Sequence, residues 1–409
     1  MKKKMAPVMK RKIDPVAQGE SQTTREKNAV SLEAFIFLGV FLLIFTLIGN
    51  KMGLVNMLNT MMKTSFDLLI NTVFYIMAVA VLAGALGALL TEFGVVALIN
   101  KLLSPCMGVL FGLPGAASVG VLTTYLSDNP AILTLADDAG FRRYFKRYQL
   151  PALTNLGTAF GMGAIITAYM LSLQVSQGSG GLGMAVLIGN LGAVFGCIIS
   201  TRLMLRFTKK VYGKDAWCDT PEGSQHADMN KRTVRVGSIG SRVLSALTEG
   251  GASGVKMGLE VIPGVLLICT FVLLLTKGPS VDGTYTGAAY EGIAFLPWVG
   301  EKLSFILNPI FGFTSSECIS VPITALGAAG AAIGLVPGLL DGGQASPQDV
   351  AVFTSMCMCW SGYLSTHVAM MASLKCSYLT GKAIVCHTIG GLCAGAFAHW
   401  VYYLLSLIM

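Results

Sequence analysis

Charge is what this sequence has least of. Only 12% of its 409 residues are Asp, Glu, Lys or Arg, against 54% hydrophobic, and the mean hydropathy is +0.67. Soluble domains carry about 25% charged residues, so a water-soluble fold is excluded and a membrane chain is implied. Histidine is equally scarce, with four residues. His226 lies in a polar loop, while His367, His387 and His399 fall on different apolar segments and form no ligand motif; His367 is the best of them for proton coupling. The ten cysteines lie mostly inside apolar runs, and "CMC" at Cys357 to Cys359 matches no zinc spacing, so they read as small buried apolar residues and no metal is expected. Despite 48 glycines there is no phosphate-binding loop or dinucleotide fingerprint. No catalytic constellation stands out, so neither an enzyme nor an organic cofactor is expected.

What is present is a series of apolar runs. A membrane-spanning helix takes about 20 mostly apolar residues, and seven segments fit: 31–49, 66–92, 149–173, 183–205, 255–276, 350–374 and 380–407. Two further regions, 99–136 and 303–340, are broken near their middles by "FGLPGAAS" and "FGFTSSECIS". Each reads as a re-entrant hairpin, because interrupted backbone is tolerated at membrane depth only inside protein or beside water.

Basic residues collect in the N-terminal arm, in "RRYFKR" at 142–147, between Arg206 and Arg242, and from Lys375 to Lys382, and these segments are expected in the cytoplasm. "QVSQGSGG", residues 278–300 and "DGGQASPQD" contain no Lys or Arg and are expected outside. The N-terminus is then cytoplasmic, in a bacterial-type inner (cell) membrane. The arm has no signal-peptide shape and reads as a polar tail facing lipid headgroups. The net charge of +8 thus reflects topology, and no nucleic-acid partner is expected.

The halves resemble each other at a spacing near 200 residues: "LLSPCMGVLFGLPGAAS" with "ILNPIFGFTSSECIS", "LTNLGTAFGMG" with "FTSMCMCWSGY", and "IGNLGAVFG" with "IGGLCAGAF". The expected fold is an all-α polytopic membrane protein of two inverted repeats, each with a re-entrant helical hairpin, with seven full spans besides. The predicted divisions are a basic tail (1–30), an extra span and amphipathic linker (31–65), a first repeat (66–207), a basic cytoplasmic loop (208–250) and a second, inverted repeat (251–409). Secondary transporters are commonly built this way, with sites formed by broken helices near the bilayer midplane. Small-residue helices that match only by composition are the plainer explanation of the likeness.

Over 66–207 and 255–405, "FGLPGAASVGVLTTYLSDNPAI", "LPALTNLGTAFGMG" and "CWSGYLSTHVAMM" make the chain resemble the Gate (nucleoside-recognition) membrane superfamily. Concentrative nucleoside transporters, the ferrous-iron transporter pore and spore-maturation membrane proteins resemble one another through that domain. The resemblance implies the fold and a transport role. The first hairpin tip holds Pro114, Gly115 and Ser118 but lacks the amide and carboxylate residues with which nucleoside transporters bind a base, so nucleoside is not carried over as the cargo.

The candidate substrate-binding residues are Ser118; Thr154, Asn155 and Thr158; Thr314, Ser315, Ser316 and Glu317; and Thr354, Ser355, Trp360 and Ser361. At the second hairpin tip, "TSSE" can bind an anionic group or, through Glu317, a cation or proton. A helix cap with Glu317 in the first turn is the structural alternative. Thr154 and Thr158 share a helix face, as do Ser361 and Ser365, and polar glue between membrane helices explains them equally well. Glu317, Asp128, Asn129 and His367 are the candidates for ion coupling or gating. In "TTYLSDNPAI", Asp128 lies about 10 residues from Ser118, roughly 15 Å toward the cytoplasm and near the hydrocarbon boundary. Asn129 as N-cap and Pro130 as first residue read as the start of a short helix over 130–137, with a gate role as the alternative.

These residues point to a secondary transporter-like protein moving a small polar or amphiphilic metabolite, coupled to sodium or protons with Glu317 as the preferred coupling residue. A passive channel and a membrane assembly protein that binds a partner are the alternatives, and a lipid-modifying enzyme comes third. The unrepeated first span is compatible with a homodimer.

Overall fold

The computed structural model describes residues 28–129, 131–132, 142, 144–174, 182–218, 234–260 and 262–408. The tail 1–27, most of the predicted helix 130–137 and most of "QVSQGSGG" lie outside them. Among the described residues the chain is helical, without a named strand. Five helices are long and apolar enough to cross a membrane: Leu32–Met52, Leu54–Glu92, Gly183–Tyr212, Ile239–Thr276 and Ser377–Ser406. The other two predicted spans, 149–173 and 350–374, are interrupted and each forms two shorter helices.

The first helix, α1 (Leu32–Met52), has almost its whole apolar surface exposed. Next, α2 (Leu54–Asp67) runs through a π-helical stretch (Leu68–Val73) into α3 (Phe74–Glu92), so the predicted amphipathic linker is the first turns of one 39-residue helix. Its partner α9 (Ile239–Glu260) passes Pro263 into a second π-helical stretch (Gly264–Cys269) and α10 (Thr270–Thr276). The two π-helical stretches pack on each other. The α3–α9 seam is closed by small residues, because membrane helices associate through close backbone packing. A Cβ on Gly254 would meet the Ala80 carbonyl carbon and the Val81 Cα at 2.5 Å, and one on Gly250 would meet the Ala88 Cβ at 2.6 Å.

Between these and the core run α4 (Val95–Phe111), α5 (Ala117–Leu126), α6 (Ala152–Thr158), α7 (Gly163–Ser172) and α8 (Gly183–Tyr212). The later part holds α11 (Phe295–Phe311), a 3-10 turn (Ser316–Ile319), α12 (Ser320–Ala325), α13 (Ala329–Asp341), α14 (Pro347–Trp360), α15 (Tyr363–Ser373) and α16 (Thr380–Ser406). The most buried wall is formed by α6, α8, α14 and α16, with every residue of α6 and all of α14 from Asp349 onward buried.

One end of the molecule gathers Lys146, Arg202, Lys209, Arg235, Arg242 and Lys382; here Glu92 bonds Arg235 and Arg242, each at 2.7 Å. The opposite end carries the loop 277–294 and Asp341 and Asp349. Lysine is present there too, but Lys51 and Lys63 donate to the carbonyls of Ile293 (2.7 Å) and Gly287 (2.8 Å) of that loop.

The α3–α9 seam yields a direct test. Gly254→Leu should overpack it and lower stability by about 1–3 kcal/mol. Gly240→Leu in the same helix, where an added Cβ meets nothing within 4 Å, should leave the unfolding midpoint in detergent unchanged. Equal midpoints for the two variants would contradict the packing described here.

Candidate transport site

The turns expected to be deep hairpin tips lie instead at the two ends of the molecule. Gln149, just before α6, donates through Nε2 to the Gly112 carbonyl (3.1 Å), and Arg202 holds the carbonyls of Val109 and Leu110. At the opposite end, Gln348 in the first turn of α14 donates to the Gly312 carbonyl (2.7 Å), while Asp349 accepts the Thr314 N–H (3.0 Å) and hydroxyl. Gly112 and Gly312 both take left-handed backbone, with φ of 72° and 61°, where an L side chain would be strained. Thus α4 and α11 each end at a surface turn, and α5 and the segment around α12 descend from it.

Their deep ends meet the interrupted helices. The Ser127 carbonyl, at the end of α5, accepts the Met162 N–H (3.2 Å) between α6 and α7. The Ala325 carbonyl, at the end of α12, accepts the Gly362 N–H (2.9 Å) between α14 and α15. Met162, Ser361 and Gly362 all have positive φ at these breaks, so each helix stops and restarts there. The breaks also touch: Ser361 Oγ donates to the Gly161 carbonyl (3.2 Å) and Asn129 Nδ2 to the Ser361 carbonyl (2.7 Å).

"TTYLSDNPAI" therefore occupies the deep junction and not the cytoplasmic boundary, because α5 enters from a turn tied to Gln149 and ends some 13 residues further along the neighbouring chain, roughly 20 Å deeper. The Asn129 side chain crosses to Ser361, Asp128 accepts the Asn129 N–H (2.7 Å), and most of the helix that Asn129 was expected to cap lies outside the described residues. Asn129 Oδ1 is buried without a partner. Asp128, partly exposed, lies within electrostatic reach of Glu260 on α9.

The other candidates separate into groups. Ser118 is buried, bonding Asn100 and the Gly115 carbonyl near the first surface turn. Thr314, Ser315 and Ser316 line a pocket of about 220 Å³ with Ser304 and Asn308 at the opposite surface. Glu317 follows them there, half-buried and within electrostatic reach of Lys277; Ser315 takes the N-cap position but its side chain makes no cap bond. Thr354 bonds its own helix through the Val350 carbonyl (2.7 Å). Thr154 Oγ1, Ser355 Oγ and Trp360 Nε1 are buried without partners, and Thr158 Oγ1 lies 3.8 Å from Met370 Sδ.

Asn155 belongs to a buried chain that joins four helices. Its Nδ2 donates to the Ala383 carbonyl (3.0 Å) and to Ser200 Oγ (2.9 Å). Ser200 Oγ lies 2.9 Å from His387 Nδ1, and His387 Nε2 lies 2.6 Å from the Cys359 carbonyl. A carbonyl only accepts, so Nε2 carries the proton, Nδ1 accepts from Ser200, and Ser200 in turn accepts from Asn155. This places Asn155 in a packing network and not on an open surface. His367 and His387, which fall on different apolar segments, meet with tilted rings whose centroids are 4.6 Å apart, and both nitrogens of His367 are buried. Ser200 and His387 carried no local motif; four helices bring them together.

A cavity of about 740 Å³ opens at the end opposite the basic residues. Tyr75, Tyr169, Lys277, Ser320, Pro337 and Asp341 are among its lining, and none of the sequence-predicted residues is. Tyr75 donates to Ser172 Oγ (2.9 Å) across its wall. The loop beside it, 277–294, is folded around Glu291. Burial works against that carboxylate's charge, yet the Thr286 hydroxyl (2.7 Å) and the N–H groups of Thr286 (3.1 Å) and Gly287 (2.9 Å) outweigh it and hold the carboxyl below its ordinary range.

The chain is similar in fold to CNTnw, a concentrative nucleoside transporter. A doubly substituted CNTnw in an outward-facing state matches with a TM-score of 0.53 at 14% identity, over 90% of this chain and 84% of that one. CNTnw in an intermediate state gives 0.52 at 14% identity over 90% and 85%, and its inward-facing substrate-bound state 0.50 at 14% over 90% and 84%. At that identity the likeness shows the fold alone, an all-α one whose five long apolar helices suit a multi-pass membrane protein. No family model and no curated protein matches the sequence.

Two measurements check this description. Ser200→Ala should leave His387 Nδ1 unsatisfied and cost about 1–3 kcal/mol, read as a lower denaturant midpoint in detergent; an unchanged midpoint would refute the network. Because the Glu291 carboxyl is lowered in the folded loop, its contribution should be complete above the ordinary carboxylate range and lost as pH falls through the lowered value. Limited proteolysis of 277–294 should then accelerate only below about pH 4, and Glu291→Gln should remove that acid step.

Proposed function

We propose that this protein is a secondary transporter that moves a small polar or amphiphilic metabolite by alternating access, with the junction of Asn129, Gly161 and Ser361 as the closed centre. The observation that carries the reading is that two entering segments and two interrupted helices meet at one buried point below a cavity open at one end. Alternating access requires such a fixed centre with parts able to rock around it.

The halves are read as inverted repeats. In support, Gln149 to Gly112 and Gln348 to Gly312 are equivalent bonds at opposite ends, and Met162 to Ser127 and Gly362 to Ala325 are equivalent bonds at the centre. The basic end is assigned to the cytoplasm of an inner-type membrane, with the N-terminus inside, by the positive-inside rule. The exposed apolar surface of α1 faces lipid or a second copy of the chain.

For coupling, sodium or a proton is favoured at Asp128 and Asn129, because an ionisable side chain and an unpartnered amide oxygen at membrane depth are costly unless used. Glu317 and His367 remain secondary candidates, the first beside Lys277 and the second against His387.

The test is uptake into proteoliposomes of nucleosides, amino acids, dipeptides and organic acids, under inward sodium or proton gradients. Gradient-dependent uptake of one class is expected, with Asn129→Ala reducing the rate about tenfold or more and weakening its ion dependence. Uptake indifferent to the gradient would indicate a channel. No uptake, with stable copurification of one protein partner, would indicate assembly.

A further inference from the structure

The 740 Å³ cavity carries charge of both signs on different elements, separated by an apolar and aromatic wall. Lys277 follows the last residue of α10 and is half-buried. Unlike Lys51 and Lys63, whose ammonium groups are held by loop carbonyls, it has no hydrogen-bonded or salt-bridged partner among the described residues. Burial pushes its ammonium down from the ordinary lysine range, and the Glu317 carboxylate offsets this only in part. An unpaired cation facing a cavity is poised to accept an anionic group from a ligand.

The opposite charge is Asp341, the exposed last residue of α13 at the cavity mouth. The ends of α7 and α13 both reach this cavity, and helix C-termini present negative dipole ends that favour a cationic group. Tyr75 and Tyr169, packed edge to face with centroids 5.6 Å apart, supply apolar surface together with Leu335 and Pro337. Ligand pockets of this kind are mostly apolar with a few polar groups that set orientation.

We propose that the cavity binds a small amphiphilic zwitterion, an apolar amino acid or dipeptide, with its carboxylate on Lys277, its ammonium at Asp341 and its side chains against the two tyrosines. The inference names the substrate class of the transporter reading and rests on it.

The test is equilibrium binding to the purified full chain in detergent, with Leu-Leu as probe beside Leu-Leu amide, which lacks the carboxylate, and N-acetyl-Leu-Leu, which lacks the ammonium. Leu-Leu should bind about tenfold or more tighter than either blocked form, as expected for loss of a charge-assisted hydrogen bond. In Lys277→Gln the preference over the amide should vanish while that over the acetylated form persists, and Asp341→Asn should do the reverse. Lys277→Arg keeps the charge and should keep the preference, which separates anchoring from folding. The proposal is overturned if Leu-Leu does not bind, if a blocked form binds as well, or if the variants leave both preferences intact. Binding of Leu-Leu without uptake would sink the transport reading and leave the site standing; uptake of another class without zwitterion binding would do the opposite.

Discussion

Inside a bilayer, a helix can stop only where something else bonds its backbone, and this structure is organised around that constraint. Two spans are interrupted, at Met162 and at Ser361–Gly362. The amide freed at the first break is taken by the Ser127 carbonyl and the amide freed at the second by the Ala325 carbonyl. Both carbonyls end short helices that enter from opposite ends of the molecule and reach the same depth. The interrupted helices and the entering segments therefore require one another, and the Asn129 to Ser361 and Ser361 to Gly161 bonds lock the two sets together.

Around this junction the protein divides into surfaces of different character. The long pair α3 and α9 is held by glycine contacts at backbone range, with ion pairs among Glu92, Arg235 and Arg242 at the basic end. The wall of α6, α8, α14 and α16 is tied together differently, by the oriented chain from Asn155 through Ser200 to His387 and the Cys359 carbonyl. The 740 Å³ cavity lies between the long helix that carries Leu68, Thr72 and Tyr75 and the pair formed by Tyr169 of α7 and α13. The Tyr75 to Ser172 bond is one of the few polar ties across it.

The membrane character, the positions of the long helices and the interrupted character of the regions near 105–126 and 309–341 were legible in the sequence, because apolar length, basic clustering and Gly/Pro breaks act locally. The depth of the breaks was not legible. "FGLPGAAS" and "TSSE" look like deep tips on local grounds, but Gln149 and Gln348 pin both turns at the surface. "SDNP" looks like a helix start at the boundary, yet Asn129 is spent on Ser361, 232 residues away. Of the polar residues singled out in the sequence, Ser118, Thr154, Asn155, Thr158, Thr354 and Ser355 are buried, whereas Thr314 is exposed and Ser315, Ser316 and Glu317 are half-buried. Their partners were invisible, since Asn155, Ser200 and His387 carry no shared motif and meet only because four helices converge.

The sequence by itself determined that this chain enters a membrane and which end is basic, since both follow from composition and short-range pattern. Only the tertiary structure decided which polar side chains satisfy one another, which are left facing a cavity, and how deep each break lies. Those outcomes depend on hydrogen bonds between residues some 200 positions apart, such as Ser361 to Gly161, and local spacing holds no record of them.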